Sequence, residues 1–174
     1  MDYVEFGMKA YILSIISPRS GLVQALNAVR SSKIVREAYL IYGTYDLICK
    51  VEFDSFPQID SFLEVLQENG LQDSNTLIVK EGGLNFEREE CDKTEKCAFI
   101  FGKIKRPSVP KFWEKHLKSI ESVMEAHELY GLYDVVISVS ENARTDFYNQ
   151  VFKQLWLLTE VNLTATHTMF TVKL

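Results

Sequence analysis

Apolar positions along the chain alternate between short β-rich runs and segments with helical spacing. Met8 to Ile16 is an apolar run rich in β-formers, broken by Pro18 and Gly21, and predicts a first strand. Leu22, Ala25, Leu26 and Val29 follow at i, i+3, i+4 and i+7, one apolar stripe on a helix. Val35 to Tyr42 and Asp46 to Phe53 read as two strands joined through Gly43-Thr44-Tyr45, a hairpin in which glycine tolerates positive φ. Ser55 and Gln58 form a capping box with Pro57 in the first turn, and Ile59, Phe62, Leu63 and Leu66 carry a second helix to a stop at Asn69-Gly70. Ser74 to Lys80 supplies a fourth strand.

The same order then returns. Tyr42-Gly43-Thr44-Tyr45-Asp46 recurs as Tyr130-Gly131-Leu132-Tyr133-Asp134, and at the same offset Ala10-Tyr11-Ile12 meets Ala98-Phe99-Ile100. Self-similarity of this kind marks an internal repeat. In the second copy the strand Cys97 to Ile104 leads to a helix opened by Ser108 and Pro110 that carries Trp113, Leu117 and Ile120. A hairpin through Gly131 follows, then a helix with Phe147, Val151, Leu155 and Leu158 on one face, and a last strand to Leu174. The predicted organisation is a first repeat over residues 1–81, a charge-rich linker over 82–95 and a second repeat over 96–174.

Strand, helix, strand, strand, helix, strand is the ferredoxin-like βαββαβ order of an α+β protein, with both helices on one face of a four-stranded sheet. Ala10-Tyr11-Ile12-Leu13, Leu47-Ile48-Cys49 and Val135-Val136-Ile137 are apolar at both parities, as strands covered on both faces are. The helices cover one face, so the other is expected to pack against the sheet of the sister repeat or of a second chain, face to face as in a dimeric α+β barrel. Leaving several hundred Å² of such a face in water would forgo roughly 10 kcal/mol at about 25 cal/mol per Å².

Composition narrows the function. Of 174 residues 47% are hydrophobic and 25% charged, which is ordinary for a folded domain. A net charge of −5 offers no general attraction to phosphate backbones. Lys103, Lys105, Arg106, Lys111, Lys115 and Lys118 lack a DNA-reading motif beside them and read as a solvated face, so no direct nucleic-acid partner is expected. No apolar run is long enough to span a membrane and no signal pattern opens the chain, which predicts a cytoplasmic protein without a membrane partner. Cys49, Cys91 and Cys97 have neither disulfide nor zinc spacing, and the sequon at Asn162 is taken as chance. With no phosphate loop, metal-ligand cluster or paired nucleophile, neither a catalytic residue nor a cofactor is expected, and a non-enzymatic role is favoured. Of the histidines, His116 falls on a helix, and His127 and His167 on strands. His127 is expected to be a satisfied structural histidine in preference to an axial ligand or proton donor.

The first repeat, with its tyrosine-glycine-x-tyrosine-aspartate hairpin, apolar third strand and threonine at the start of the fourth, resembles the ligand-binding (RAM) module of Lrp/AsnC regulators. The second copy keeps the turn but departs from the pattern at Glu128-Leu129 and in its longer second helix. Regulators of that family carry an N-terminal helix-turn-helix domain, whereas Met1 to Gly7 alone precede the first repeat here. The resemblance implies a stand-alone effector module that forms homo-oligomers and binds a small molecule, commonly an amino acid, beside the hairpin. Carried over by residue, the implied ligand-binding positions are Gly43, Thr44, Tyr45 and Asp46, with Gly131, Leu132, Tyr133 and Asp134 in the second copy, and Thr76 and Thr168 from the neighbouring strands. An aspartate can pair with an α-ammonium, and glycine lets backbone N–H groups approach a carboxylate. Two alternatives stay open for these residues: the aspartates accept backbone hydrogen bonds, and the tyrosines are interface aromatics. Two functional alternatives also stay open: an enzyme or haem-binding protein of the dimeric α+β barrel type, and an interaction module that forms mixed oligomers with full-length Lrp/AsnC regulators.

Overall fold

A computed structural model describes residues 7–105, 109–161 and 163–174; Arg106, Ser108 and Asn162, singled out above, lie outside them. The chain divides into two compact units, residues 1–79 and 80–174.

The first unit contains β1 (Met8–Ile16), α1 (Leu22–Arg30), β2 (Val35–Leu40), β3 (Leu47–Phe53), α2 (Phe56–Glu68) and β4 (Leu71–Val79). Its strands pair antiparallel in the order β2-β3-β1-β4. The predicted stripe of α1 is buried at Ala25, Leu26 and Val29. Before α2, the Gln58 side chain accepts the N–H of Ser55 at 3.3 Å and of Asp54 at 2.6 Å, which satisfies donors that a helix start leaves unpaired. Ala10, Tyr11, Ile12 and Leu13 are all fully buried, so β1 is covered on both faces, as its unbroken apolar run predicts.

The second unit contains β5 (Asn85–Glu87), β6 (Lys96–Ile104), α3 (Phe112–Ser119), β7 (Val123–Tyr130), β8 (Val135–Ser140), α4 (Lys153–Val161) and β9 (Leu163–Phe170). The strand order is β5-β7-β8-β6-β9, again antiparallel. Trp113 and Leu117 of α3 pack with Val151, Leu155 and Leu158 against Ile100 and Ile137 of the sheet. The second-helix stripe therefore forms, but the segment runs through a 3-10 stretch (Glu141–Asp146) and a π turn (Tyr148–Phe152) before α4. A π turn is a one-residue insertion in a helix, which apolar spacing does not reveal. Residues 82–95, expected as a linker, are part of this unit: β5 pairs with β7, and Cys91–Lys93 is a 3-10 turn. Among the described residues no helix is long and apolar enough to cross a membrane.

Each unit is thus a mixed α+β module with an antiparallel sheet. In both, the first strand carries a bulge against the last: at Ile15/Ile16 against β4 and at Lys103/Ile104 against β9.

Candidate functional site

The two hairpins are built alike. Gly43 and Gly131 adopt φ of 119° and 125°, a region that side chains disfavour, and so turn the chain tightly. Beyond each glycine the chain is held by backbone bonds: Ile41 N–H to the Asp46 carbonyl (2.9 Å) and Asp46 N–H to the Ser14 carbonyl (2.9 Å) in the first unit, and Leu129 to Asp134 (2.8 Å) and Asp134 to Gly102 (2.8 Å) in the second. A bulge interrupts the ladder and leaves a backbone N–H in search of an acceptor. The aspartate supplies it: Asp46 Oδ2 accepts the Ile16 N–H at 3.0 Å and Asp134 Oδ2 accepts the Ile104 N–H at 2.9 Å. Asp46 is 7% exposed, and its other oxygen lies 4.0 Å from the guanidinium of Arg19.

Tyr45 is buried, and its hydroxyl accepts the Nδ2–H of Asn75 at 2.5 Å. In the second unit the Tyr133 hydroxyl meets Nδ1 of His167 at 2.8 Å, with the Phe101 ring 5.2 Å from the tyrosine ring. Asn75 stands opposite Leu13 and His167 opposite Phe101, so the two pairs occupy equivalent ladder positions. Thr76 and Thr168 sit one residue further, opposite Ile12 and Ile100. Successive strand residues point to opposite faces, and Ile100 packs into the core with the helices. The fold thus brings Tyr45, Asp46 and Asn75 to the first turn, and the threonines to the other face of the sheet. Tyr42, Gly43 and Thr44 are exposed, as are Tyr130, Gly131 and Leu132. Asn75 is not among the sequence candidates, and His167, read only as a strand residue, is not assigned to the hairpin; the signal is the pairing register of the last strand, which the longer second helical segment of the second unit obscures.

The second unit also holds a buried polar network. His127 is 2% exposed, with Nδ1 2.7 Å from Asn85 Oδ1 and Nε2 2.9 Å from Glu125 Oε1. The Asn85 amide is oriented by its own Nδ2–H bond to the Lys80 carbonyl (3.0 Å), so His127 Nδ1–H donates to Asn85. Glu125 Oε2 accepts from the Cys91 thiol at 2.9 Å and the Ser138 hydroxyl at 3.2 Å. Both ring nitrogens of His127 are committed within the protein, so this residue does not fit the role of an axial iron ligand.

Clefts open on both units among the described residues. One of about 380 Å³ lies against α1 and α2 beside Ala28, Ile34, Phe62 and Val65. A second, of about 200 Å³, is bordered by Arg36, Glu52 and Asp54. The third, about 680 Å³, belongs to the second unit and runs from Lys80 to Lys111. None of the three is lined by a hairpin residue.

The family model of the Lrp/AsnC ligand binding domain matches residues 15–82, a stretch that contains the whole first hairpin. No curated protein matches the chain. The structure of E. coli AsnC aligns at 26% identity over 43% of this chain and 52% of its own, with a TM-score of 0.39. Other solved structures align over nearly the whole chain. The sirohaem decarboxylase NirDL, in complex with an iron-uroporphyrin III analogue, gives a TM-score of 0.64 at 10% identity, over 95% of this chain and 71% of that one. A putative chlorite dismutase gives 0.58 at 11% identity, over 96% and 95%. Both neighbours have dimeric α+β barrel folds, and at these identities the likeness concerns the fold alone.

Proposed function

We propose that this chain is a regulatory effector-binding module of the Lrp/AsnC type, whose first hairpin takes a small zwitterion such as an amino acid. The observation that carries this reading is the family match over residues 15–82, which spans the hairpin and the Asp46 that anchors it. In the proposed site the effector ammonium pairs with Asp46 Oδ1, the carboxylate oxygen not bonded to Ile16, and its carboxylate meets backbone N–H groups near Gly43 and Thr44. Tyr45 and Asn75 close the site from the strand side. The exposed Tyr42, Gly43 and Thr44 leave the hairpin open to a second copy of the chain, and we propose that oligomerisation completes the pocket. Gly131, Leu132, Tyr133 and Asp134 form the corresponding site of the second unit, where Leu132 and His167 replace Thr44 and Asn75 and change what it accepts. In this reading the second unit is a diverged tandem copy of the first.

Calorimetry of the purified protein against the common amino acids tests the proposal, with Asp46→Asn as the diagnostic variant. Asparagine keeps an acceptor for the Ile16 N–H and removes the charge, so the fold and oligomer should persist. Affinity should fall about tenfold or more, the loss of one charge-assisted hydrogen bond worth roughly 1.5 to 3 kcal/mol. Unchanged affinity in the folded variant, or no amino acid bound at millimolar concentration, would overturn this assignment.

A further inference from the structure

The third cleft is lined by none of the hairpin residues. It opens where residues 80–85 fold over the end of β7. Lys80 N–H donates to the Glu128 carbonyl (2.8 Å), Glu128 N–H to the Leu84 carbonyl (2.9 Å), and Leu84 N–H to Glu128 Oε1 (2.8 Å). The loop is therefore stitched onto one acidic residue. A Cβ on Gly83 would stand 3.0 Å from the Glu128 carboxyl carbon, so the backbone passes close over that carboxylate, and any side chain there would require it to shift by a few tenths of an ångström.

Glu128 is 4% exposed yet lines a cleft of about 680 Å³. One of its oxygens is satisfied by Leu84. Among the described residues the other meets only the Lys80 ammonium, at 3.9 Å, beyond hydrogen-bond reach. A carboxylate accepts several hydrogen bonds, so this oxygen has room for a donor that enters from the cleft. The walls add Leu84, Val109 and Pro110, which suit an aliphatic body, and both signs of charge, with Lys80 and Lys111 set among Glu81 and Glu114. Ligand pockets of roughly 300 to 1,000 Å³ typically combine apolar walls with a few placed polar groups in this way.

We propose that this cleft is a second effector site, for a small zwitterionic amine with an aliphatic side chain. Its ammonium is held by Glu128 Oε2, its carboxylate by Lys111 and Lys80, and its side chain by Leu84 and Pro110. A simple fatty acid is disfavoured by Glu81, Glu114 and Glu128 together.

Three probes separate these contributions in calorimetry of the full chain: L-leucine, isopentylamine, which lacks the carboxylate, and 4-methylpentanoate, which lacks the ammonium. L-leucine should bind, and 4-methylpentanoate should bind about tenfold more weakly. Hydrogen exchange read by mass spectrometry locates the sites: leucine bound in the cleft slows exchange over residues 80–85, whereas a hairpin ligand slows it over residues 41–46. Glu128→Gln, which retains an acceptor for Leu84, should lower leucine affinity about tenfold and abolish the protection at 80–85. Should that variant fail to fold, Lys111→Met on the exposed rim should weaken leucine while leaving isopentylamine unaffected. Protection confined to residues 41–46, no protection at millimolar leucine, or equal binding of leucine and 4-methylpentanoate would each overturn the cleft site. The first of these outcomes leaves the hairpin reading standing.

Discussion

Asp46 and Asp134 show how one side chain serves both structure and recognition. Each carboxylate accepts the N–H that a bulge has taken out of the ladder, at Ile16 and Ile104. Asp134→Ala removes the acceptor and leaves the Ile104 N–H unpaired, which should cost about 1 to 3 kcal/mol, while Asp134→Asn should cost much less. Urea midpoints of the two variants at constant m-value check this, and equal midpoints would show that the bond contributes nothing. The cysteines lend themselves to a second test at this scale. Burial raises the Cys49 thiol far above its ordinary range, and burial raises Cys97 to about 11 despite the opposing influence of Arg144. The thiolate is the reacting species, so both should resist iodoacetamide in the native protein near pH 8 and react once it is unfolded in urea. Rapid native alkylation at either, read by peptide mass spectrometry, would contradict the burial that the fold assigns them.

Among the elements, the 3-10 segment Glu141–Asp146 depends on a clamp. Arg144 grips both oxygens of Glu141, at 2.6 and 2.9 Å, and donates to the carbonyl (2.9 Å) and hydroxyl (2.6 Å) of Thr171, which follows β9. Hydrogen bonds from Arg144 hold the Glu141 carboxyl below its ordinary range, with Lys173 helping. A group whose folded pKa is depressed adds stability above its unfolded value and loses it as pH falls through the folded value. Stability should therefore decline as pH drops below the usual glutamate range of about 4.3, and Glu141→Gln should flatten this part of the acid limb. Urea midpoints measured across that window read the difference; parallel curves for the two proteins would remove Glu141 from the account. The pair is only partly buried, so its contribution should also shrink with added salt.

At the scale of the molecule, the proposed function requires more than one copy of the chain around each hairpin, and light scattering at micromolar concentration is expected to give a dimer or a larger closed assembly. A monomer under those conditions would leave the hairpin site incomplete. Much of this architecture was legible in the sequence. The strand and helix periods, the capping box at Ser55 and the repeated Tyr-Gly-x-Tyr-Asp turn are local signals, because backbone geometry repeats over a few residues and glycine alone favours φ near that of Gly43 and Gly131. From them followed the α+β class and the order of elements in both units. Other features depended on partners distant in sequence: the bulges that claim Asp46 and Asp134, the pairing of Tyr45 with Asn75 and Tyr133 with His167, and the Glu128 carboxylate beneath Gly83. Strand register decided these. A shift of one residue sends a side chain to the opposite face, which is why Asn75 reaches the hairpin tyrosine while Thr76, its neighbour, does not. Composition read residues 82–95 as a linker because charge and glycine dominate there, whereas β5 and the Glu128 bonds that hold the preceding loop come from contacts with β7 some forty residues later. Local chemistry thus determined which elements form; only their packing decided which side chains meet.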